Sequence, residues 1–193
     1  MKRTRYSTLH LAMSGGFGAM LFVVNFALGA TLSYVFGVPG LSGLVTGLTT
    51  GFVLAVATSC SPRFSTVTLA FTLYCVIAIP TVLMGPPGLY KLPVGLISGL
   101  TYDTVAACFR HRRMGHYVGW AAYSAVILGL TYLSLVLLEL PGADRLEQAI
   151  LILFALFLVE GLAGTALGHV FYQRYLSQNR VVLLLQETPS SQD

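Results

Sequence analysis

Six apolar runs follow one another through this chain: Leu11–Leu32, Leu41–Ser59, Thr66–Leu83, Leu92–Phe109, Tyr117–Leu138 and Glu147–Tyr172. Each is close to the ~20 residues that a bilayer-spanning helix needs. The expected fold is therefore all-α: a polytopic membrane protein with six transmembrane helices in a single domain over residues 1–193, ending in a short tail from about residue 177. With 55% hydrophobic and 9% charged residues and a mean hydropathy of +0.78, the spans consume nearly the whole chain. A soluble catalytic or nucleotide-binding domain does not fit beside them.

The basic residues set the orientation. If the N-terminus is cytoplasmic, Lys2, Arg3, Arg5, Arg63, Arg110, Arg112, Arg113, Arg174 and Arg180 collect on that side, leaving only Lys91 and Arg145 outside. The positive-inside rule then places both termini in the cytoplasm of a cell-membrane protein. The net charge of +4 is explained by topology and by the anionic lipid headgroups of the bilayer, so no nucleic-acid partner is implied. The start Met-Lys-Arg-Thr-Arg followed by an apolar run has the look of a signal peptide, but the run is long for one and reads as the first span. Cys60, Cys75 and Cys108 have no CxxC spacing, so they read as packing residues rather than a disulfide framework or metal site. No cofactor is expected.

Proline and glycine mark the outer connections. Phe36–Gly40 and Gly85–Lys91 read as short, ordered loops, with Pro39 and Pro93 in the first turns of the helices that follow, where a missing N–H costs nothing. The third outer loop, Glu139 to Asp144, is acidic, and the polar end after Val181–Leu185 is expected to be disordered. Gly43–Leu48 in the second run is echoed by Gly95–Leu100 in the fourth, a faint parallel repeat. Small residues recur at helical spacing: Gly40, Gly43, Gly47, Gly51 and Ala55 on span two, and Gly161, Gly164 and Gly168 on span six. Such seams allow close backbone approach in lipid and are expected to serve packing within the chain. On span one, Ala12, Gly16 and Ala19 fall on the opposite side of the helix from Asn25, at 100° per residue. One face is polar and the other is a smooth groove, fitting either two-sided packing or a cavity on one side and a partner on the other.

Asp103 and Glu160 are the acids placed deep in the spans, roughly 16 Å and 20 Å from the outer ends at 1.5 Å per residue. A carboxylate there costs about 2.5–3.5 kcal/mol even on the lenient insertion scale, and persists when paired, hydrated or used. Each is a candidate ligand contact or a protonated acid bonded to a neighbouring helix. Tyr34, Tyr90, Tyr102 and Tyr132 cluster toward the outer side with Asn25. Interfacial anchoring accounts for any one of them. Together with the acids they suit a small cationic or heteroaromatic ligand held by carboxylates and cation–π contact.

Six spans with both ends inside, the small-residue seam opposite the polar face of span one, and Gly/Pro loops outside span pairs one–two and three–four resemble the substrate-binding S component of energy-coupling factor (ECF) vitamin transporters. The stretch Pro93-Val94-Gly95-Leu96-Ile97-Ser98-Gly99-Leu100-Thr101-Tyr102-Asp103 looks most like the thiamine or hydroxymethylpyrimidine branch. The resemblance implies a non-enzymatic subunit for high-affinity uptake of a vitamin-like compound. It implies docking to a transmembrane coupling subunit through Ala12, Gly16 and Ala19, where Gly16 stands in place of the usual central alanine, with energy from two cytoplasmic ATPases. It also implies a ligand in the outer half, touching Asn25, Tyr34, Tyr90, Lys91, Tyr102 and Asp103, with Tyr132 and Glu160 as further candidates.

Two other classes stay open. A membrane scaffold or assembly protein needs no small ligand. An intramembrane hydrolase would use Ala12-Met13-Ser14-Gly15, which resembles the serine motif of rhomboid proteases with one glycine missing, together with His169.

Overall fold

The computed structural model describes residues 8–36, 41–109, 113–140, 143–179 and 182–183. Among them the chain is all-helical: α1 (Thr8–Phe36), α2 (Leu41–Cys60), α3 (Thr66–Ala78), α4 (Lys91–Cys108), α5 (Arg113–Leu137) and α6 (Ala143–Phe171), the last extended by a π-helical turn at Tyr172–Leu176. Each apolar run carries one helix. Thr8–Gly29, Arg113–Leu137 and Ile150–Leu176 are long and apolar enough to cross a membrane, while Thr46–Cys60 and Thr66–Ala78 are shorter apolar helices. Those three helices identify a membrane protein. The helix α4 interrupts its apolar face with Lys91 and Asp103.

The third run was expected to reach Leu83, but α3 stops at Ala78. Pro80 lacks the N–H that would continue the ladder, and the chain passes into turns up to Tyr90. This connection reverses sharply at Met84 and Gly85, with φ of 62° and 100°. A φ of 100° is a glycine conformation, and a Cβ at Gly85 would also lie 2.8 Å from the Tyr90 hydroxyl. Pro93 falls in the first turn of α4, as expected. The expected loop at Phe36–Gly40, Pro39 included, lies outside the described residues beyond Phe36, as do Pro141 and Gly142.

The helices close into a ring: α1 packs on α2 and α3, α2 on α6, α6 on α5, α5 on α4, and α4 on α3. Its middle is filled by one cluster that includes Leu21, Leu54, Phe71, Tyr74, Tyr102, Trp120 and Tyr123. The outward side of α6 carries Leu151, Ile152, Val159, Leu167 and Val170, all exposed. In lipid that is the solvated state of such side chains.

The α2–α6 contact is the most extensive, and glycine makes it possible. A Cβ at Gly164 would overlap the Leu48 carbonyl, one at Gly51 would lie 2.9 Å from the Gly161 Cα, and one at Gly168 would lie 2.7 Å from the Phe52 carbonyl oxygen. The two backbones touch along three turns, as the seams on spans two and six led us to expect. The faint repeat is not reproduced in packing. Gly47 and Gly51 of α2 face α6, whereas Gly95 and Gly99 of α4 face Cys75 and Thr68 of α3.

At the end of α2, three hydroxyls reach histidines on three other helices. Thr58 Oγ1 lies 3.3 Å from His116 Nδ1 on α5. Ser59 Oγ lies 3.4 Å from His169 Nδ1 on α6. Ser61 Oγ, one residue past the helix, lies 2.8 Å from His10 Nδ1 on α1. All three histidines are buried. Val182 folds back onto this end, buried against Val56 and Cys60 with Met13 and Phe17 beside it. The apolar run of the tail is therefore packed at this residue.

Replacing Gly164 by Ala is expected to force α2 and α6 apart and to lower stability by about 1–3 kcal/mol, the usual cost of overpacking. Gly129, with nothing within 4 Å of its virtual Cβ, serves as the control, where Ala is expected to be neutral or to stabilise by about 0.5–1 kcal/mol. Thermal unfolding of both variants in detergent checks the pair. Equal midpoints would contradict the α2–α6 contact.

Candidate functional site

The sequence-predicted residues divide into separate groups in space, and most of their polar atoms are committed to the fold. Asn25 is buried on α1 and bridges to α2: Thr49 Oγ1 donates to its Oδ1 at 2.6 Å, and its Nδ2 donates to Thr50 Oγ1 at 3.1 Å. The Tyr74 phenol reaches it from α3. Such interhelical amide bonds are a common tie between spans.

Asp103 finds its partner at the beginning of α3. Thr68 donates to Oδ2 through its backbone N–H at 2.8 Å and its hydroxyl at 2.6 Å, and Val67 N–H donates to Oδ1 at 3.3 Å. Ser65, at the N-cap position of α3, sits at φ 78° and makes no side-chain cap bond. Asp103 therefore caps α3 from the neighbouring helix, with its carboxyl oxygens at the positive end of the helix dipole.

Lys91 does the converse at the other end. It is fully buried, and its Nζ donates to the carbonyls of Ala78 at 3.0 Å and Thr81 at 2.6 Å. A cation thus stands at the C-terminus of α3, where the last carbonyls lack partners. Next to it the Tyr90 hydroxyl contacts the carbonyls of Met84 at 2.9 Å and Pro86 at 3.0 Å. Burial pushes this phenol up to about 12. Tyr90 and Lys91 thus shape the 79–90 connection and hold it to α3.

Tyr102 is buried in the ring's middle, its hydroxyl 3.3 Å from His116 Nδ1. Tyr132 is partly buried on α5, nine residues beyond Tyr123 and so about 13 Å further along the helix. The side chain of Tyr34 lies outside the described residues. Ala12, Gly16 and Ala19 are all exposed, and nothing lies within 4 Å of a Cβ placed at Gly16. The groove on α1 is therefore not filled by this chain's described residues, while Asn25 faces inward.

Glu160 differs from the other candidates. It is partly buried on α6, and among the described residues no hydrogen-bond partner reaches its buried Oε2. Its neighbour on α6, Phe157, belongs to an aromatic group shared with α5. The Phe157 ring lies one turn before Glu160, 5.1 Å from the Trp120 ring and 6.4 Å from that of Tyr123, with Trp120 and Tyr123 5.1 Å apart. Trp120 and Tyr123 are fully buried, yet Trp120 Nε1 and the Tyr123 hydroxyl also have no partner among the described residues. Gly47 closes the group from α2, its virtual Cβ 2.8 Å from Glu160 Oε2 and 3.0 Å from Phe157 Cδ2. Gly161, the residue after Glu160, lies against the Trp120 indole so closely that any Cβ would overlap the ring.

Sequence reasoning had Glu160 but not Phe157, Trp120 or Tyr123. The signal was present: Trp120 is the only tryptophan of the chain, and Trp120 and Tyr123 are one helical turn apart, as are Phe157 and Glu160. Ser14 Oγ, the candidate nucleophile of the hydrolase reading, is buried without a hydrogen-bond partner among the described residues. The bond of His169 goes to Ser59. No group of three or more His, Cys, Asp or Glu side chains among the described residues is arranged to hold a metal.

Among the described residues, fold and site define an all-helical membrane protein with a committed polar frame and a buried Glu160 oxygen that no hydrogen-bond partner reaches. Compared with known proteins, the chain matches no family model, no curated protein and no solved structure.

The capping geometry makes Asp103 a stability residue. Asp103→Asn is expected to lose about 1.5–3 kcal/mol of charge-assisted bonding. That corresponds to a melting midpoint roughly 3–12 °C lower, with any ligand affinity of the folded protein within a few-fold of wild type. Calorimetric titration beside thermal unfolding separates the two effects, and an unchanged midpoint with lost binding would return Asp103 to a ligand site.

Proposed function

We propose that this chain is a six-span protein of the cell membrane with both termini in the cytoplasm, acting as the substrate-binding S component of an ECF-type uptake system. Its ligand is a small vitamin-like compound, with thiamine or its pyrimidine precursor as the first choice. A transmembrane coupling subunit and two ATPases supply the energy, and this chain supplies binding and docking.

The observation that carries this reading is the outer face of α1. Ala12, Gly16 and Ala19 lie exposed in one line, with open space at Gly16, and the polar residue of the same helix is turned inward and bonded. A seam used for internal packing would be covered by a neighbouring helix. This one faces outward, the arrangement a close-packing partner helix requires. Orientation is supported by the basic residues. Lys91, one of only two on the outer side, is buried on carbonyl groups rather than free in a loop.

A scaffold without a small ligand is the second reading. It is favoured by the hydrogen bonds of Asn25, Tyr90, Lys91 and Asp103, which go to groups of the chain itself.

For topology, Cys108 is the exposed native thiol among three and is first changed to Ala. Leu89 and Met114 are then replaced singly by Cys, since both are well exposed, at 70% and 64%. Leu89→Cys is expected to react with an impermeant maleimide from outside intact cells and Met114→Cys only after lysis. The reverse pattern would overturn the orientation.

For docking, the chain is co-expressed with the coupling subunit and ATPases of an ECF transporter, and uptake of labelled thiamine is measured. Gly16→Leu fills the groove and is expected to cut subunit association and uptake roughly tenfold or more, with thiamine affinity of the purified chain within a few-fold. Undiminished association would remove the α1 face from the interface, and absence of saturable thiamine binding would favour the scaffold.

A further inference from the structure

We propose that Glu160 is a proton-binding site: its carboxyl holds a proton in the middle of the membrane, at the seam between α2 and α6, and is reached from the lipid-facing side of α6. This goes beyond the binding-subunit reading and does not rest on it.

The site follows from what surrounds the carboxyl. Glu160 stands well inside the span Ile150–Leu176, roughly 15 Å from one end and 24 Å from the other. Along α6 and its π-helical extension the basic residues before and after it are Arg145 and Arg174, each more than about 20 Å away along the axis. His169, between them, is bonded to Ser59. The helix that meets the carboxyl, α2, has no Asp, Glu, Lys or Arg at all, and its one cysteine, Cys60, is its last residue. On α5 the titratable groups are Arg113, His116, Tyr117, Tyr123 and Tyr132. Arg113 is the exposed first residue of that helix, and His116 is turned to Thr58 and Tyr102. Among the described residues no hydrogen-bond partner reaches Glu160 Oε2.

An ionised carboxylate in this place has no counter-charge beside it and no donor on its buried oxygen, the costliest state of a charge in a span. A proton removes the charge and converts the acceptor into a group that carries its own donor. The ligand selected is therefore the proton itself, which resides on the oxygen and needs no cavity.

Access and consequence lie on opposite sides of the group. Leu156, Val159 and Ala163 around it on α6 are exposed, and Glu160 is partly so, which puts it at the border of the lipid-facing surface. On its other side, a Cβ placed at Gly47 would lie 2.8 Å from Oε2 and 3.2 Å from the Glu160 Cβ. The buried oxygen thus rests against the α2 backbone. Removing the proton would put a negative charge into the most extensive helix contact of the bundle, so the loaded form is the one that keeps this seam closed.

The purified full-length protein in phosphatidylcholine vesicles at neutral pH is treated with dicyclohexylcarbodiimide, which partitions into lipid, or with a water-soluble carbodiimide. The acid O–H adds across a C=N bond of the reagent, its oxygen bonding to the central carbon and its proton passing to nitrogen. Acyl shift to nitrogen then gives a stable N-acylurea that mass spectrometry locates. The lipid-soluble reagent is expected to modify Glu160 and the water-soluble one to leave it intact, with no protection by sodium ions. Glu160→Gln, which keeps the shape of the protonated acid without its charge, is expected to lose the adduct and to keep its melting midpoint within a few degrees of wild type. The infrared spectrum of wild type is expected to hold a protonated-carboxyl carbonyl band that is missing from Glu160→Gln.

Absence of the adduct or of that band difference would overturn the proposal. Equal labelling by the water-soluble reagent would place the carboxyl in water and overturn it too. Protection by sodium would make the ligand a metal cation instead of a proton, and a large fall in the midpoint of Glu160→Gln would show that the fold needs the charge.

Discussion

Charge at both ends of α3 holds this bundle's shortest helix in place. With 13 residues it is about 20 Å long, too short to span hydrocarbon unaided, and its N-cap residue makes no side-chain cap. Each end would leave unpaired backbone groups in an apolar medium, where each costs several kcal/mol. The next helix supplies both remedies, a carboxylate at the positive end and an ammonium at the negative end. Since α1 leans on α3 as well, the closure of the ring depends on that pair. Two charges that would each be expensive in a span become affordable because neither is isolated.

This arrangement divides the polar groups into two populations. Asn25, Asp103, Lys91 and Tyr90 belong to the frame, and their value lies in fixing helices and one connection relative to each other. Glu160, Trp120 and Tyr123 have polar atoms that no described residue engages.

Much of the fold was legible in the sequence because hydropathy, helical period and proline each act locally. Six runs gave six helices, and the 100° period put Asn25 and Gly16 on opposite sides of α1, which the fold turns inward and outward respectively. The glycine seams of α2 and α6 met where small residues permit it. What stayed hidden depends on which helices become neighbours. Asp103 had to have a partner, but that the partner is the backbone of α3 follows from antiparallel packing of α3 on α4, which no single run encodes. Lys91 and Asp103 stand about 18 Å apart on α4, close to the length of α3, a match visible only once the two are paired. The contacts of Phe157 with Trp120 and Tyr123 were missed for the same reason, because they join α6 to α5.

The histidines at the end of α2 carry a consequence for how such a molecule moves. Thr58, Ser59 and Ser61 fasten α5, α6 and α1 to one point, and Val182 is packed over the same end. Opening a passage there would break all three contacts together, at about 0.5–1.5 kcal/mol for each hydrogen bond, and would expose the imidazoles as well. The bundle is thus bolted shut at that end, where α1, α5 and α6 can part from α2 only as one cooperative event.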